Sequence, residues 1–407
     1  MLSIAAMTMP QAQVVDLTIV IPCLNEAETI VSCVQKALLG IQRAGVSGEI
    51  VVADNGSADG SQALAQKAGA RVERIAEKGY GNALRGGIAA AHGKWIIMGD
   101  ADDTYDFSEI KVFVDKLREG YDVVMGCRMP RGGGTIMPGA MPWKNKYIGN
   151  PILSFIGKLL FKTPINDFHC GLRAFTKAAC QRLDLKTTGM EFASEMVLKA
   201  ALASLRMAEA PVTLYPDPRN RQPHLRPWRD GWRHLRLMLV FSPRWLFLIP
   251  GLSLCAAGVA VGALTFRPTR IGAVTFDVGT LTVACMSVII GVQFISFACF
   301  TKVFAIAEGL LPQDPKFTGV FKYLNLERGI ALGVAMVVLG VAMLVHAVLA
   351  WQHSGYGPLD YGVNMRRIIP AATLLVIGVQ AISSSFFMSI LGLKTGARQP
   401  PHLPEPS

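Results

Sequence analysis

The chain has 407 residues, 51% of them hydrophobic and 17% charged, at a mean hydropathy of +0.37. That is too apolar for an ordinary soluble protein and too charged for one wholly buried in lipid, so a soluble domain joined to a membrane part is implied. The net charge of +11 asks for an anionic partner, either nucleic acid or an anionic membrane surface. None of the eight cysteines forms a Cys-x-x-Cys pair, which leaves zinc ribbons and thioredoxin-type redox motifs without support.

Residues 1–16 carry no Lys or Arg and only a short apolar run. They do not read as a signal peptide and are expected to be a disordered N-terminus, which leaves the domain after them on the cytoplasmic side. From residue 17 onward, short apolar runs alternate with helix-like stretches. Leu17–Ile21, Ile50–Ala53, Trp95–Met98 and Val123–Met125 read as buried strands. Glu28–Ala44, Ser61–Lys67 and Asn82–His92 read as helices. Such alternation predicts an α/β domain over 17–227 with a mostly parallel sheet, its ligands beyond the carboxyl ends of the strands. Within it, the Gly- and Pro-rich residues 129–146 are expected to form a mobile loop.

Residues 228–244 carry Arg229, Arg233, Arg236 and Arg244 with Trp228 and Trp232, and predict an amphipathic interfacial helix. A nucleic-acid arm is the rival reading of this basic run. Its place directly before an apolar span favours the membrane, so no nucleic-acid partner is expected. A membrane region of four helices follows over 245–393, as spans 245–266, 281–301, 329–351 and 368–393, none of which contains Asp, Glu, Lys or Arg. Each exceeds the roughly 20 residues that a bilayer core needs. The basic residues before the first span, those in the second loop (Lys302, Lys316, Lys322, Arg328) and those in the tail 394–407 (Lys394, Arg398) outweigh Arg267, Arg270, Arg366 and Arg367. That asymmetry predicts a multi-pass inner-membrane protein with the catalytic domain and both termini cytoplasmic.

Asp100-Ala-Asp102 follows directly on an apolar strand. Two carboxylates at that spacing can share Mg²⁺ or Mn²⁺, which in turn neutralises a diphosphate; the other reading is an acidic surface turn. Asp54, in Asp-Asn-Gly-Ser, also follows a strand, and could hold a nucleobase or ribose or simply close an Asn-Gly turn. Asn25 is a candidate helix cap. Lys78-Gly-Tyr-Gly81 opens a helix and offers a cation with free backbone N–H groups for an anion, without the Walker or dinucleotide-binding spacing.

IPCLNEAETI, DNGSADGS, EKGYGNALRGG, GDADD and GCR, in this order, resemble family 2 glycosyltransferases of the GT-A fold. Within that family the chain is similar to the dolichyl- and polyprenyl-phosphate hexose synthases, over residues 17 to about 240. The resemblance implies an inverting transfer of a hexose from a UDP- or GDP-sugar to a polyprenyl phosphate, with Mg²⁺ or Mn²⁺ as cofactor. It implies that Pro22, Glu26 and Asp54 hold the nucleoside, with Lys78 beside the donor. Asp100 and Asp102 would hold the metal and donor diphosphate, and Arg128 would meet phosphate. A glutamine of the dolichyl enzymes is replaced by Thr104. Asp167 and Arg173, in the DFHCGLR segment, would position the acceptor phosphate, with a buried salt bridge as the alternative for that pair. Arg219 and Arg221 stand where the family closes basic residues over the donor. A phosphate acceptor is already anionic, so this chemistry needs cations more than a general base.

A processive polysaccharide synthase is disfavoured, because Phe241 stands where its Gln-x-x-Arg-Trp motif needs glutamine. A nucleotidyltransferase would need a Gly-rich basic loop where PCLNEAE stands. A non-catalytic membrane scaffold is the reading from another class. Against it, Asp54, Asp100 and Asp102 are all present.

Overall fold

The computed structural model describes residues 15–219, 227–265, 269–271, 274–308, 310–311, 319 and 326–393. The chain divides into two compact units, residues 1–238 and 239–407.

In the first unit, β1 (Leu17–Cys23), α1 (Ile30–Ala44), β2 (Gly48–Asp54), α2 (Ser61–Lys67), β3 (Arg71–Arg74), α3 (Tyr80–Ala90) and β4 (Trp95–Met98) alternate as the hydrophobic pattern requires. Every residue of β1 is buried, the mark of a strand covered on both faces. After β4 come α4 (Lys111–Arg118), β5 (Val123–Cys127), β6 (Thr135–Ile136), α5 (Asn150–Phe161), β7 (Arg173–Thr176), α6 (Lys177–Leu183), α7 (Phe192–Leu202), β8 (Met207–Pro211) and β9 (Thr213–Leu214). The main sheet has the order β3-β2-β1-β4-β7-β5-β8. All its pairings are parallel except those of β7, which runs antiparallel to both β4 and β5. The domain is a mixed sheet of the GT-A type.

Pro22 is accommodated inside this sheet by the register. The β1–β4 ladder stops at Val20 opposite Met98, so Pro22 lies beyond the last pair on that side and its missing N–H breaks nothing there. The expected loop over 129–146 is more ordered than its glycines and prolines suggest. Thr135 and Ile136 pair in parallel with Thr213 and Leu214, and a turn of π-helix at Asn145–Gly149 runs straight into α5.

Helix α8 (Pro227–Val240) ends before residue 244, because Pro243 fixes its own φ and biases Ser242 away from the helical region. The second unit contains α9 (Ile249–Thr265), a hairpin of β10 (Thr269–Ile271) and β11 (Val274–Phe276), α10 (Val278–Ala307), α11 (Leu326–His353) and α12 (Tyr361–Leu393). Among the described residues, four segments are long and apolar enough to cross a bilayer: Arg244–Thr265, Val278–Ala307, Leu326–His353 and Tyr361–Leu391. Three of them are longer than the apolar runs predict. Hydrogen bonding within a helix continues past the last apolar residue wherever polar side chains reach the head groups.

With no hydrophobic drive between helices in lipid, small residues bring the backbones together. A Cβ at Gly333 on α11 would stand 2.7 Å from the Gly378 carbonyl of α12, and one at Gly258 on α9 would stand 2.6 Å from the Ala284 carbonyl of α10. Polar pairs add direction, with Gln380 donating to Gln293 at 2.9 Å. Gly333→Val is expected to destabilise this unit by about 1–3 kcal/mol through overpacking. The check is the unfolding temperature in detergent; an unchanged value would mean that α11 and α12 do not approach this closely.

Candidate active site

The candidate site lies where β1, β2, β4 and β5 end and β7 begins. Asp54 closes β2 and is 1% exposed. It accepts from the N–H groups of Gly56 (3.0 Å) and Ser57 (3.2 Å) and from Gln62 Nε2 (2.7 Å). The Asn-Gly turn is therefore real, and the same carboxylate serves it. Asn55 receives the Gly79 N–H at 2.7 Å, and its backbone carbonyl receives Lys78 Nζ at 2.6 Å. Lys78 thus lies over the 54–56 turn.

The expectation of free N–H groups at the start of α3 does not hold. The N–H groups of Gly81 and Asn82 both donate to the Thr188 carbonyl, so a neighbouring loop caps these two donors. A side chain at Gly81 would collide with that loop, its Cβ only 2.5 Å from the Thr187 carbonyl.

Asp100 and Asp102 emerge from β4. Asp100 accepts the Tyr80 hydroxyl at 2.9 Å. Burial and the neighbouring charge of Asp102 push its carboxyl up to about 6. Asp102 Oδ1 receives both the N–H (3.1 Å) and the hydroxyl (2.7 Å) of Thr104. The residue that replaces the family's glutamine therefore orients this carboxylate, while Oδ2 stands 3.6 Å from Arg219. Arg219 also bonds Glu26 (2.5 Å) and Asp217 (2.6 Å). Burial works against its charge, but Asp217, Glu26 and Asp102 outweigh that and hold the guanidinium firmly protonated. Arg221 lies outside the described residues.

Among the described residues, no three His, Cys, Asp or Glu side chains cluster as a ready ligand set. Two carboxylates completed by phosphate oxygens and water are what a divalent cation would find, and that is the supply Mg²⁺ commonly takes. The raised carboxyl of Asp100 points the same way, because a cation would relieve the crowding of like charges. The residues present fit the group.

Arg128, after β5, makes a two-pronged ion pair with Asp167, Nε to Oδ2 at 2.7 Å and Nη2 to Oδ1 at 2.8 Å. The Arg128 N–H adds a third bond to Oδ2, at 3.1 Å. Burial opposes the charge of Asp167, but the guanidinium prevails and holds its carboxyl below the usual range. The alternative reading, a salt bridge between Asp167 and Arg173, is corrected by this geometry: Asp167 is in a buried salt bridge, but its cation is Arg128.

Arg173 is fully buried. It donates to the carbonyls of Cys170 (2.8 Å) and Phe168 (3.0 Å) and to that of Ala193. Desolvation lowers its pKa from the usual value. The expectation that Arg173 meets acceptor phosphate is overturned, because its guanidinium is sealed inside the fold and spent on backbone carbonyls. Glu195, similarly, holds the N–H groups of Lys186 and Thr187 and pairs with Lys199 at 2.8 Å.

Tyr80 and Tyr105 were not singled out by sequence reasoning. The Tyr105 hydroxyl receives the Gly171 N–H at 3.0 Å, and a Cβ at Gly171 would strike Asp100 Oδ2. Gly171 is thus the hinge of contact between the 167–171 loop and the carboxylate pair. The only signal in the sequence was the position of these tyrosines next to the motifs.

This mixed sheet, with two carboxylates at the end of β4, is an α/β domain whose family the comparisons show. Residues 18–184 match glycosyl transferase family 2, and residues 299–392 match the glycosyltransferase family 2 C-terminal transmembrane region. A low-salt glycan biosynthesis hexosyltransferase of Haloferax volcanii is 34% identical over 378 residues, covering 92% of this chain and 89% of that one. A dolichyl-phosphate hexose transferase of the same organism is 30% identical over 198 residues, covering 48% and 82%. Glucosyl-3-phosphoglycerate synthase of Mycobacterium tuberculosis, solved with Mn²⁺ and UDP, overlaps 56% of this chain and 78% of its own at a TM-score of 0.42 and 19% identity. The chain belongs to glycosyltransferase family 2, as an enzyme with a multi-pass membrane region.

Asp167→Asn is expected to cost about 3–5 kcal/mol of stability, the penalty of leaving Arg128 buried without its counter-charge. Because the folded carboxyl sits below its ordinary 3.8, this contribution is complete above that pH and is lost as the pH falls below it. Unfolding in urea across pH 3 to 7 checks this; the stability of the variant should fall less steeply towards acid pH than that of wild type.

Proposed function

We propose that the protein is an inverting hexosyltransferase that moves a hexose from a UDP- or GDP-sugar to a polyprenyl phosphate, dolichyl or undecaprenyl, at the cytoplasmic face of the membrane. The observation that carries the reading is the electrostatics at the end of β4. Asp100 and Asp102 crowd together there, and Arg219 reaches Asp102, Glu26 and Asp217. Two crowded carboxylates suit a divalent cation, and Arg219 is placed to exchange carboxylates for phosphates. The relative named for dolichyl-phosphate hexose transfer and the membrane region support the lipid acceptor.

In this reading Asp100 and Asp102 hold Mg²⁺ or Mn²⁺, which neutralises the departing diphosphate. Pro22, Glu26 and Asp54 form the nucleoside side, with Lys78 over the turn between them. Tyr80 and Thr104 fix the two carboxylates, so little reorganisation is needed as charge develops on the leaving group. Arg128 and Asp167 stiffen the acceptor loop and serve neither as base nor as free phosphate ligand. An acceptor phosphate is ionised at neutral pH, so a site whose Asp167 is locked to an arginine loses nothing. Direct attack of the phosphate oxygen on the anomeric carbon inverts its configuration, and the nucleoside diphosphate leaves.

The test is transfer of label from single nucleotide-sugars to polyprenyl phosphate in membranes containing the protein, with Mg²⁺ or Mn²⁺ and then with chelator. An acid-labile glycolipid from one donor, lost with chelator and lost in Asp102→Ala, is expected. Wild-type turnover by Asp102→Ala would sink the metal assignment, and no glycolipid from any donor would sink the acceptor.

A further inference from the structure

Between Arg128 and Asp167 there is no Asp or Glu, while Arg131, Lys144, Lys146, Lys158 and Lys162 all fall in this stretch. The same stretch carries the most exposed apolar surface of the first unit. Trp143 (64%), Tyr147 (59%), Ile148 (45%), Ile152 (51%), Phe155 (66%) and Leu159 (48%) are all open to solvent. Ile148, Ile152, Phe155 and Leu159 follow one another at steps of four, three and four residues, so they form a single stripe along the π-turn and α5. Among the other described residues of the unit, large exposed apolar ones are scattered and, apart from Trp232 on α8, none exceeds 43% exposure. A continuous stripe of this kind marks an interaction surface.

The opposite face of α5 is fastened to the acceptor loop. Gly157 and Ser154 are buried, a Cβ at Gly157 would stand 2.6 Å from the Phe168 ring, and Lys158 Nζ bonds Asn166 Oδ1 at 2.5 Å. Asp167, one residue on, holds Arg128.

We propose that α5 is a membrane-docking helix: its apolar stripe enters the head-group region of the bilayer, and its inner face holds the 166–171 loop at the lipid surface. Three observations choose lipid as the occupant. The chain carries four membrane spans, so a bilayer is always at hand. The charged residues of the stretch are all basic, which suits anionic head groups. Trp143 and Tyr147 lie side by side at the N-terminal end, with ring centroids 6.0 Å apart and Lys146 over the tyrosine at 5.5 Å, the amphipathic pairing that settles at interfaces. The delivery of a lipid phosphate from the bilayer to this loop rests on the acceptor reading above, whereas the docking does not.

The test places p-benzoylphenylalanine at Phe155 in the full chain, held in nanodiscs of phosphatidylcholine and phosphatidylglycerol. The same group at Val338, 62% exposed on α11, is the positive control, and at the exposed Glu77 the negative one. Photo-adducts with lipid at 155 that match those at 338 are expected. Lipid labelling at 155 no higher than at 77, or cross-linking of 155 to a second copy of the chain, would overturn the proposal. In the second arm, Phe155→Glu with Leu159→Glu is expected to raise KM for long-chain polyprenyl phosphate about tenfold, from the lost apolar burial. Nucleotide binding and KM for a short, water-soluble isoprenyl phosphate should be unchanged. An equal rise for both acceptors would mean that the stripe shapes the loop and does not meet lipid. Absence of transfer in the wild type would count against the acceptor reading alone, since the cross-linking still decides the docking.

Discussion

The structure turns on the antiparallel seat of one short strand. β7 slots between β4 and β5 with Arg173 opposite both Met98 and Met125. Because β7 runs against its neighbours, its beginning lies at their ends. The loop that feeds it, residues 167–171, therefore meets Asp100 just past β4 and Arg128 just past β5. A parallel strand in the same slot would carry that loop to the far edge of the sheet, away from the carboxylates.

Once the strand is seated, charge decides the rest. Two arginines follow the insertion, and both are buried for different reasons. Arg128 is paid for by a carboxylate in a two-pronged bridge, the geometry in which a buried guanidinium is best satisfied. Arg173 has no carboxylate and instead gathers three backbone carbonyls, tying the 168–170 loop to the start of α7. Arg219 is the third, and it is the one that faces the carboxylates of the site. The polar interior is thus divided between cations that hold the 167–171 loop in shape and one that lies among the site carboxylates.

Much of the site was legible before the fold was known. Asp54, Asp100 and Asp102 each follow an apolar run, and a parallel sheet offers only one end where such residues can collect. Thr104 reads as a departure from the family pattern, but its position two residues after Asp102 gives it a hydroxyl in reach of that carboxylate. The partner of Asp167 was not legible. Arg128 is 39 residues away and Arg173 only six, and sequence distance favours the wrong one. The helix α5 was hidden for a related reason: its stripe points outward, so the pattern looks like any α/β helix until burial shows which face is the inner one.

Sequence alone determined that an α/β domain precedes four apolar spans, because hydrophobic period and span length are local properties of the chain. It also determined which acidic residues lie at strand ends, since that follows from the alternation of strand and helix. Tertiary structure decided which arginine meets which acceptor, that the N-terminus of α3 is capped by Thr188, and that Arg173 is sealed away from any ligand. These are outcomes of contacts between distant segments, and burial and pairing across such distances leave no period in the chain to read.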